Sequence, residues 1–169
     1  LLPLGARTYV MAILNLTDNS FSGDGTGADL DEAVRRAADA GAEGADIIDV
    51  GAESARADVP VRDAGEEAQL VGEAVRRIAA ETKILISVDT YKPAVVRAVL
   101  EAGAHLVNDV SGLRAPELAP LVAAHGAGLV VMHTAAPPKT RLQSSDLYGD
   151  VVADGASAIK AAESLRPDV

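Results

Sequence analysis

The sequence contains no cysteine and no tryptophan, and aromatic residues occupy only 2% of its 169 positions. The absence of cysteine excludes disulfide bonds, thiolate zinc sites and cysteine nucleophiles, and it is typical of a reducing compartment such as the cytoplasm, where we expect this protein. No apolar run approaches the roughly 20 residues that span a bilayer. Residues 1–8 lack the charged and then apolar layout of a signal peptide. The core must therefore be built from aliphatic side chains.

The charge is strongly acidic, with 25 Asp and Glu against 15 Lys and Arg and a net charge of -10. No block of basic residues offsets it, which argues against nucleic acid or an anionic membrane as the partner. Hydrophobic residues make up 49% of the chain. This composition and length fit one domain over residues 1–169 with a substantial core.

Short β-branched segments alternate with longer segments of helical spacing. The predicted strands cover residues 9–14, 46–50, 84–88, 106–107 and 129–132. The predicted helices cover residues 29–40, 66–80, 93–102, 116–125 (or from Pro120 onward) and 151–165. Asp29 is the expected N-cap of the first helix, Gly41 and Gly103 are expected just past helix ends, and Glu66 and Glu67 are expected on a solvated helix face. Five such units predict a parallel sheet covered by helices, either doubly wound or a (β/α)8 barrel, and no glycine-rich nucleotide-binding motif supports the former.

Polar side chains follow each predicted strand, where parallel sheets and barrels bind ligands. They are Asn15, then Asp49 with Glu53, then Asp89, then Asn108 with Asp109, and finally His133. Carboxylates and amide oxygens gathered at one rim favour a flat heterocycle rich in N–H donors. A helix-capping role fits Asp109 equally well. The three histidines show no metal-ligand spacing, and His105 and His125 are read as surface or helix-terminal groups.

Five short stretches resemble, in order, the signatures of the dihydropteroate synthase family. They are MAILNLTDNSFSGDG at 11–25, DIIDVGAESAR at 46–56, SVDTY at 87–91, NDVSG at 108–112 and VMH at 131–133. The resemblance extends over residues 8–165. It implies a (β/α)8 TIM barrel, here about five βα units of a partial barrel. It also implies a transferase of folate biosynthesis that joins 6-hydroxymethyl-7,8-dihydropterin pyrophosphate to p-aminobenzoate and releases pyrophosphate.

The resemblance assigns pterin binding to Asp89 and Asn108, with Val110 and Met132 against the ring. A carboxylate and a carboxamide at strand ends are suited to fixing a donor-rich ring. Without the resemblance, Met132 fits a core position better than a ligand platform. The family also implies a homodimer.

The resemblance assigns catalysis to Asn15 and Arg56, and it places Phe21 in a loop that closes over p-aminobenzoate. Asn15 would help to hold Mg²⁺ and pyrophosphate, since an oxygen ligand suits a hard cation. Arg56 would neutralise phosphate charge with its planar fork. Without the resemblance, a solvated arginine fits Arg56 equally well.

The chain departs from the family pattern at several places. Asn19 replaces an aspartate, Ala55 replaces a threonine, and Ala57 with Asp58 replaces a Pro-Gly turn, while the loop at 134–137 lacks the usual Gly-x-Pro. A complete barrel has about 250 residues and eight units. With five units we expect open apolar faces at unpaired first and fifth strands and poor catalysis by this chain alone.

Two alternatives follow from these departures. One is a divergent or non-catalytic pterin-binding paralogue that is inactive without further C-terminal strands. The other is a methyltetrahydrofolate-binding domain of the corrinoid methyltransferase type. The stretches at 20–22 and 53–54 favour the synthase over the second alternative.

Overall fold

The computed structural model describes residues 2, 3, 5–16, 29–140 and 149–164, which form a parallel sheet with a helix after each strand. The strands are β1 Met11–Asn15, β2 Ile47–Gly51, β3 Leu85–Asp89, β4 Leu106–Asp109 and β5 Gly128–Val131. The helices are α1 Leu30–Ala42, α2 Ala64–Glu81, α3 Pro93–Ala102, α4 Leu118–Ala124 and α5 Val151–Ser164. The strand order β1-β2-β3-β4-β5 has no reversal. A doubly wound sheet reverses its order, so the architecture is five consecutive units of the barrel type, as expected.

The ends of the first and third helices follow from their capping residues. Asp29 accepts a hydrogen bond from the Glu32 amide and starts α1 as predicted. Gly103 ends α3 in the left-handed conformation, with φ 109°, also as predicted. The prediction for Gly41 is wrong, because α1 continues through it to Ala42 and Gly44 adopts the left-handed conformation instead, with φ 106°.

The second and fourth helices differ from their predicted limits for local reasons. The Asp63 side chain accepts from the amides of Gly65 and Glu66, so α2 begins two residues earlier than predicted. Helix α4 begins at Leu118, which is before Pro120 but after the predicted start at residue 116. Pro120 is the third residue of α4, where a backbone N–H has no partner within the helix and its loss costs little.

The two faces of the sheet have different roles. The face under the helices is closed by aliphatic side chains that are at most 1% exposed, including Leu14, Ile48, Val50, Ile86 and Val88. The opposite face, which corresponds to the interior of a barrel, carries polar groups and exposed apolar ones, with Ile13 65% exposed. Within the described part, β1 and β5 each pair with one neighbour only, so the expected open edges are present. None of the described helices combines the length and the hydropathy needed to cross a membrane.

Two glycines with positive φ allow a matched test of packing near the fifth strand. A Cβ on Gly112 (φ 69°) would lie 2.8 Å from the Met132 carbonyl oxygen, whereas a Cβ on Gly126 (φ 64°) would meet nothing within 4 Å. We expect Gly126→Ala to cost about 1 kcal/mol for the backbone conformation alone. Gly112→Ala should cost roughly 2–4 kcal/mol because the overlap with a backbone atom adds to it. Urea denaturation of both variants measures the difference, and equal losses would show that the loop after β4 moves freely away from Met132.

Candidate functional site

The carboxyl ends of four strands form one row of neighbouring residues. Asn15 pairs with Gly51, Gly51 with Asp89, and Asp89 with Asn108. Residues paired in register across parallel strands point to the same face. Gly51 has no side chain to fill the gap, and a Cβ built there would lie 3.8 Å from both Asn15 Oδ1 and Asp89 Oδ2. The structure thus brings Asn15, Asp89 and Asn108 together on the inner face of the sheet.

A second row, two residues deeper on the same face, contains the carboxylate of Asp49. Asp49 pairs with Ser87 in the register, and its Oδ2 accepts from Asn108 Nδ2 at 3.1 Å. Asp49 Oδ1 and Ser87 Oγ are buried and have no hydrogen-bond partner within the described residues. Buried polar atoms nearly always have a partner, so these two atoms are available to a bound ligand or an ordered water. The sequence signal was the period-two spacing that puts Asp49 and Gly51 on one face.

Asp89 is the carboxyl group whose protonation is most perturbed. Burial raises its pKa to about 7, and the negative charges of Asp49, Glu67, Glu53 and Asp109 add to the effect. Near neutral pH this carboxyl therefore exists in both forms, and it can accept from a ligand once it is ionised.

Asp109 serves the local backbone. Its side chain is fully buried and accepts from the amides of Ser111 (2.8 Å) and Leu113 (2.7 Å). Helix α4 begins only at Leu118, so Asp109 does not cap it. Asp109 therefore has a structural role, but it stabilises the loop that carries Val110 and does not cap a helix.

A cavity of about 240 Å³ opens beside this row. Asp89, Val110 and Met132 line it from the strand ends. Its other walls are loop residues, chiefly Ser54 and Ala55 after β2 and residues 136–140 after β5. Three of the predicted site residues therefore share one cavity, and Asn15 and Asn108 lie outside its lining.

The remaining predicted residues lie farther from the cavity or outside the description. Arg56 follows the lining residue Ala55, is exposed, and forms a two-contact ion pair with Asp58 at 2.5 and 3.0 Å. Phe21 and Asn19 lie outside the described residues. His133 borders a different hollow between β5 and α5. His105 is exposed, and its Nδ1 accepts from the Ile86 amide at the opposite end of the sheet.

A buried charged cluster forms part of the wall of the same cavity, through Glu53, Glu67, Thr90 and Tyr91, and the sequence reasoning missed it. Lys92 Nζ donates to Glu53 Oε2 (2.6 Å) and Glu67 Oε2 (2.5 Å), Thr90 donates to Glu67, and Tyr91 donates to Glu53. Glu67 is only 1% exposed, so its expected place on a solvated helix face is wrong. The available signal was its position four residues before Val71, on the buried stripe of α2.

The protonation of the cluster follows from this pairing. Burial lowers the pKa of Lys92, but hydrogen bonds to Glu53 and Glu67 outweigh it and the pKa is raised overall. Burial likewise raises the pKa of Glu53, but the hydrogen bonds that it accepts from Lys92, Tyr91 and the Arg62 amide bring the pKa below its ordinary value. Burial and the bond to Glu53 raise the pKa of Tyr91. These shifts favour a charged Lys92 paired with an ionised Glu53, and a neutral Tyr91 phenol.

Comparison with known proteins places these features in context. Residues 11–166 match the family model described as pterin binding enzyme. A dihydropteroate synthase of Mycobacterium leprae is 43% identical over 150 residues, which are 88% of this chain and 52% of that protein. The chain thus spans about half the length of this relative.

Two solved structures resemble the fold closely. One is Clostridium difficile dihydropteroate synthase, solved in the presence of pteroic acid, with a TM-score of 0.82 and 34% sequence identity. The alignment covers 98% of this chain and 60% of the Clostridium difficile chain. The Xanthomonas albilineans enzyme with 4-aminobenzoic acid gives 0.79 at 34% identity, with 96% and 59% covered.

Proposed function

The chain belongs to the pterin binding enzyme family, and we propose that it acts as a dihydropteroate synthase, a transferase that condenses 6-hydroxymethyl-7,8-dihydropterin pyrophosphate with p-aminobenzoate in folate biosynthesis. The activity is a proposal because the relatives carry it on chains about twice as long. One observation carries it: Asn15, Asp89 and Asn108 lie in one row above a buried Asp49 oxygen that has no partner among the described residues.

The inner row fits the donor-rich edge of a pterin. Asp49 Oδ1 and the ionised Asp89 would accept from ring N–H groups, and Asn108 is held in place by its bond to Asp49. Val110 and Met132 would contact the ring face, and Met132 is 43% exposed and accessible for this. Charge-assisted hydrogen bonds in a partly buried site supply both affinity and orientation.

The pyrophosphate would extend toward Asn15 and Arg56. Within the described residues no group of three or more His, Asp or Glu could hold a metal ion. A single carboxamide oxygen at Asn15 nevertheless fits Mg²⁺ carried mainly by phosphate oxygens, which is how this ion usually binds. Bound Mg²⁺ would stabilise the charge of the leaving pyrophosphate. Arg56 would exchange Asp58 for a phosphate at small cost, since an exposed ion pair contributes little.

The cavity beside Asp89 fits the second substrate. The part of this cavity between the loops after β2 and β5 would take p-aminobenzoate, next to a pterin held at Asp89, Val110 and Met132. The amine nitrogen of p-aminobenzoate would attack the pterin methylene carbon, the carbon–oxygen bond would break, pyrophosphate would leave with the electron pair, and the amine would lose a proton. The residues of this chain contribute chiefly by alignment and by charge.

Titration calorimetry with the pterin pyrophosphate and MgCl₂ tests the proposal on the full chain. We expect saturable binding that weakens when Mg²⁺ is removed. A folded chain that does not bind the pterin pyrophosphate would contradict it. The family resemblance also supports a homodimer, which sedimentation velocity tests.

Arg56 allows a test of the phosphate subsite by itself. We expect Arg56→Ala to weaken pterin pyrophosphate binding by about tenfold, on the scale of one charged hydrogen bond, without changing the affinity for unphosphorylated 6-hydroxymethylpterin. Asp58→Gly should strengthen pyrophosphate binding because it releases Arg56. Arg76→Ala on the surface of α2, where Arg76 pairs with Glu73, is the matched control. Equal losses for both pterins would place Arg56 outside the phosphate subsite.

A non-catalytic pterin-binding protein is the second candidate. It is favoured by the Arg56–Asp58 pair, because Asp58 stands where the family has glycine and competes with phosphate for the guanidinium. Formation of dihydropteroate from p-aminobenzoate by this chain would exclude this candidate. Pterin binding without product would support it.

A further inference from the structure

Lys139 occupies a turn position that normally requires glycine. The Thr140 amide donates to the Pro137 carbonyl, which closes a turn with Pro138 second and Lys139 third. The backbone of Lys139 has a φ of 64°. A turn with proline at its second position and a positive φ at its third is a type II turn, and its third residue is usually glycine or asparagine. A side chain there costs about 1 kcal/mol or more. Such backbone strain persists where the surrounding structure imposes it and is commonest at functional sites.

The Lys139 ammonium binds three carbonyl oxygens of the loop after β2. Its Nζ lies 2.7 Å from Ser54 O, 3.2 Å from Arg56 O and 2.9 Å from Val59 O. An ammonium group has three hydrogens to donate, so these contacts use all of them. Lys139 therefore cannot bind a phosphate in this arrangement without releasing the loop.

The same loop is held at its other end by a second lysine. Lys92 Nζ donates to Glu53 Oε2 and to the Arg62 carbonyl at 2.7 Å. The segment from Glu53 to Arg62 is thus fixed by one lysine from the loop after β3 and one from the loop after β5. Arg56, whose carbonyl accepts from Lys139, lies between the two anchors.

We propose that Lys139 is a positioning residue that ties the loop after β5 to the loop after β2 and so holds the backbone of Arg56 next to the cavity-lining residue Ala55. The ordering of the loop after β2 follows from the three Lys139 contacts alone. The consequence for phosphate binding rests on the proposed function. The two parts are measured separately below.

Lys139→Gly is the decisive variant, because glycine suits the turn better than lysine. Relief of the strained turn offsets the loss of the three hydrogen bonds, so we expect only a small change in the urea midpoint. The Arg56 amide donates to Ser54 Oγ and the Val59 amide donates to Arg56 O, each at 3.3 Å. In Lys139→Gly we expect both amides to exchange with deuterium about tenfold faster. Pterin pyrophosphate affinity should fall by about tenfold, and the affinity for unphosphorylated 6-hydroxymethylpterin should not change.

Chemical rescue distinguishes the effect of the Lys139 ammonium charge from that of its aliphatic chain. The glycine variant lacks the butylammonium portion of lysine, so added n-butylammonium should restore the slow exchange and the affinity, whereas n-butanol should not. Lys83→Gly, at an exposed lysine before the amino-terminal end of β3 and away from the cavity, is the control and should change neither readout.

The outcomes are distinguishable. Unchanged exchange at Arg56 and Val59 in Lys139→Gly would overturn the proposal. Weaker phosphate binding with unchanged exchange would also overturn it and make Lys139 a direct phosphate ligand. If exchange is faster in Lys139→Gly but even the wild-type chain binds no pterin pyrophosphate, the ordering of the loop by Lys139 is supported and only the proposed function is contradicted.

Discussion

Asp89→Asn is expected to stabilise the fold above pH 7 and to weaken pterin binding at the same time. Burial and neighbouring carboxylates raise the pKa of Asp89 from 3.8 to about 7. Between these values the folded state binds more protons than the unfolded state, so the Asp89 contribution to stability falls as pH rises from about 4 to 7. Asparagine carries no charge to desolvate. We expect a gain of roughly 1–3 kcal/mol at pH 8, reduced by residual solvent screening, and none at pH 4.

The affinity should move in the opposite direction. An ionised Asp89 accepts strongly from ring N–H groups, and the loss of one such bond costs about 1.5–3 kcal/mol, which is tenfold or more. Wild-type affinity for 6-hydroxymethylpterin should increase as pH rises through 7, and the affinity of the variant should stay flat. Calorimetry and urea denaturation at pH 6 and pH 8 measure both effects.

Asp39→Asn is the control for this variant, since Asp39 is exposed on α1 and pairs only with Arg35 among the contacts described. It should change neither quantity measurably. Parallel losses of stability and affinity in Asp89→Asn would make Asp89 a structural residue.

Lys92→Met is expected to destabilise the fold strongly. Lys92 is the only cation that contacts Glu67 in the described part of the chain, and the Glu67 side chain is 2% exposed. Removing one member of a buried ion pair leaves an uncompensated charge and costs about 3–5 kcal/mol. Urea denaturation at pH 7 measures the loss, and surface Lys83→Met should stay within about 0.5 kcal/mol of wild type.

A double variant isolates the charge from the packing. Lys92→Met with Glu67→Gln removes the charge left on Glu67, though not that on Glu53, and keeps the side-chain volumes, so it should recover about half of the lost stability. Additive losses in the double variant would show that Lys92 acts through packing of its stem alone.

The alternation of strands and helices was predictable because it depends on local periodicity. The strand-end residues followed from the same reasoning, since Asn15, Asp89 and Asn108 each come directly at the end of an apolar run. The strand order was not contained in the periodicity, which fits a doubly wound sheet and a barrel equally. The family resemblance favoured the barrel, and the unreversed order of the sheet confirms it.

Contacts between distant loops could not be predicted in the same way. Lys139 and Ser54 are 85 positions apart and meet only because the loops after β2 and β5 meet over one cavity. The burial of Glu67 was also missed, because its partner Lys92 comes from another loop and a charged residue is normally expected in solvent. Helix α1 was predicted to end at Ala40 and ends at Ala42, because Gly44 and not Gly41 takes the left-handed conformation, and propensity alone does not distinguish the two glycines.

A crystal structure of the chain with bound 6-hydroxymethyl-7,8-dihydropterin tests the central claim most directly. We expect ring N–H groups within hydrogen-bond distance of Asp49 and Asp89, with Val110 and Met132 against the ring. Binding in the hollow of about 720 Å³ between β5 and α5, lined by Leu129 and Ile159, with the Asp49 oxygen still unpartnered, would contradict it.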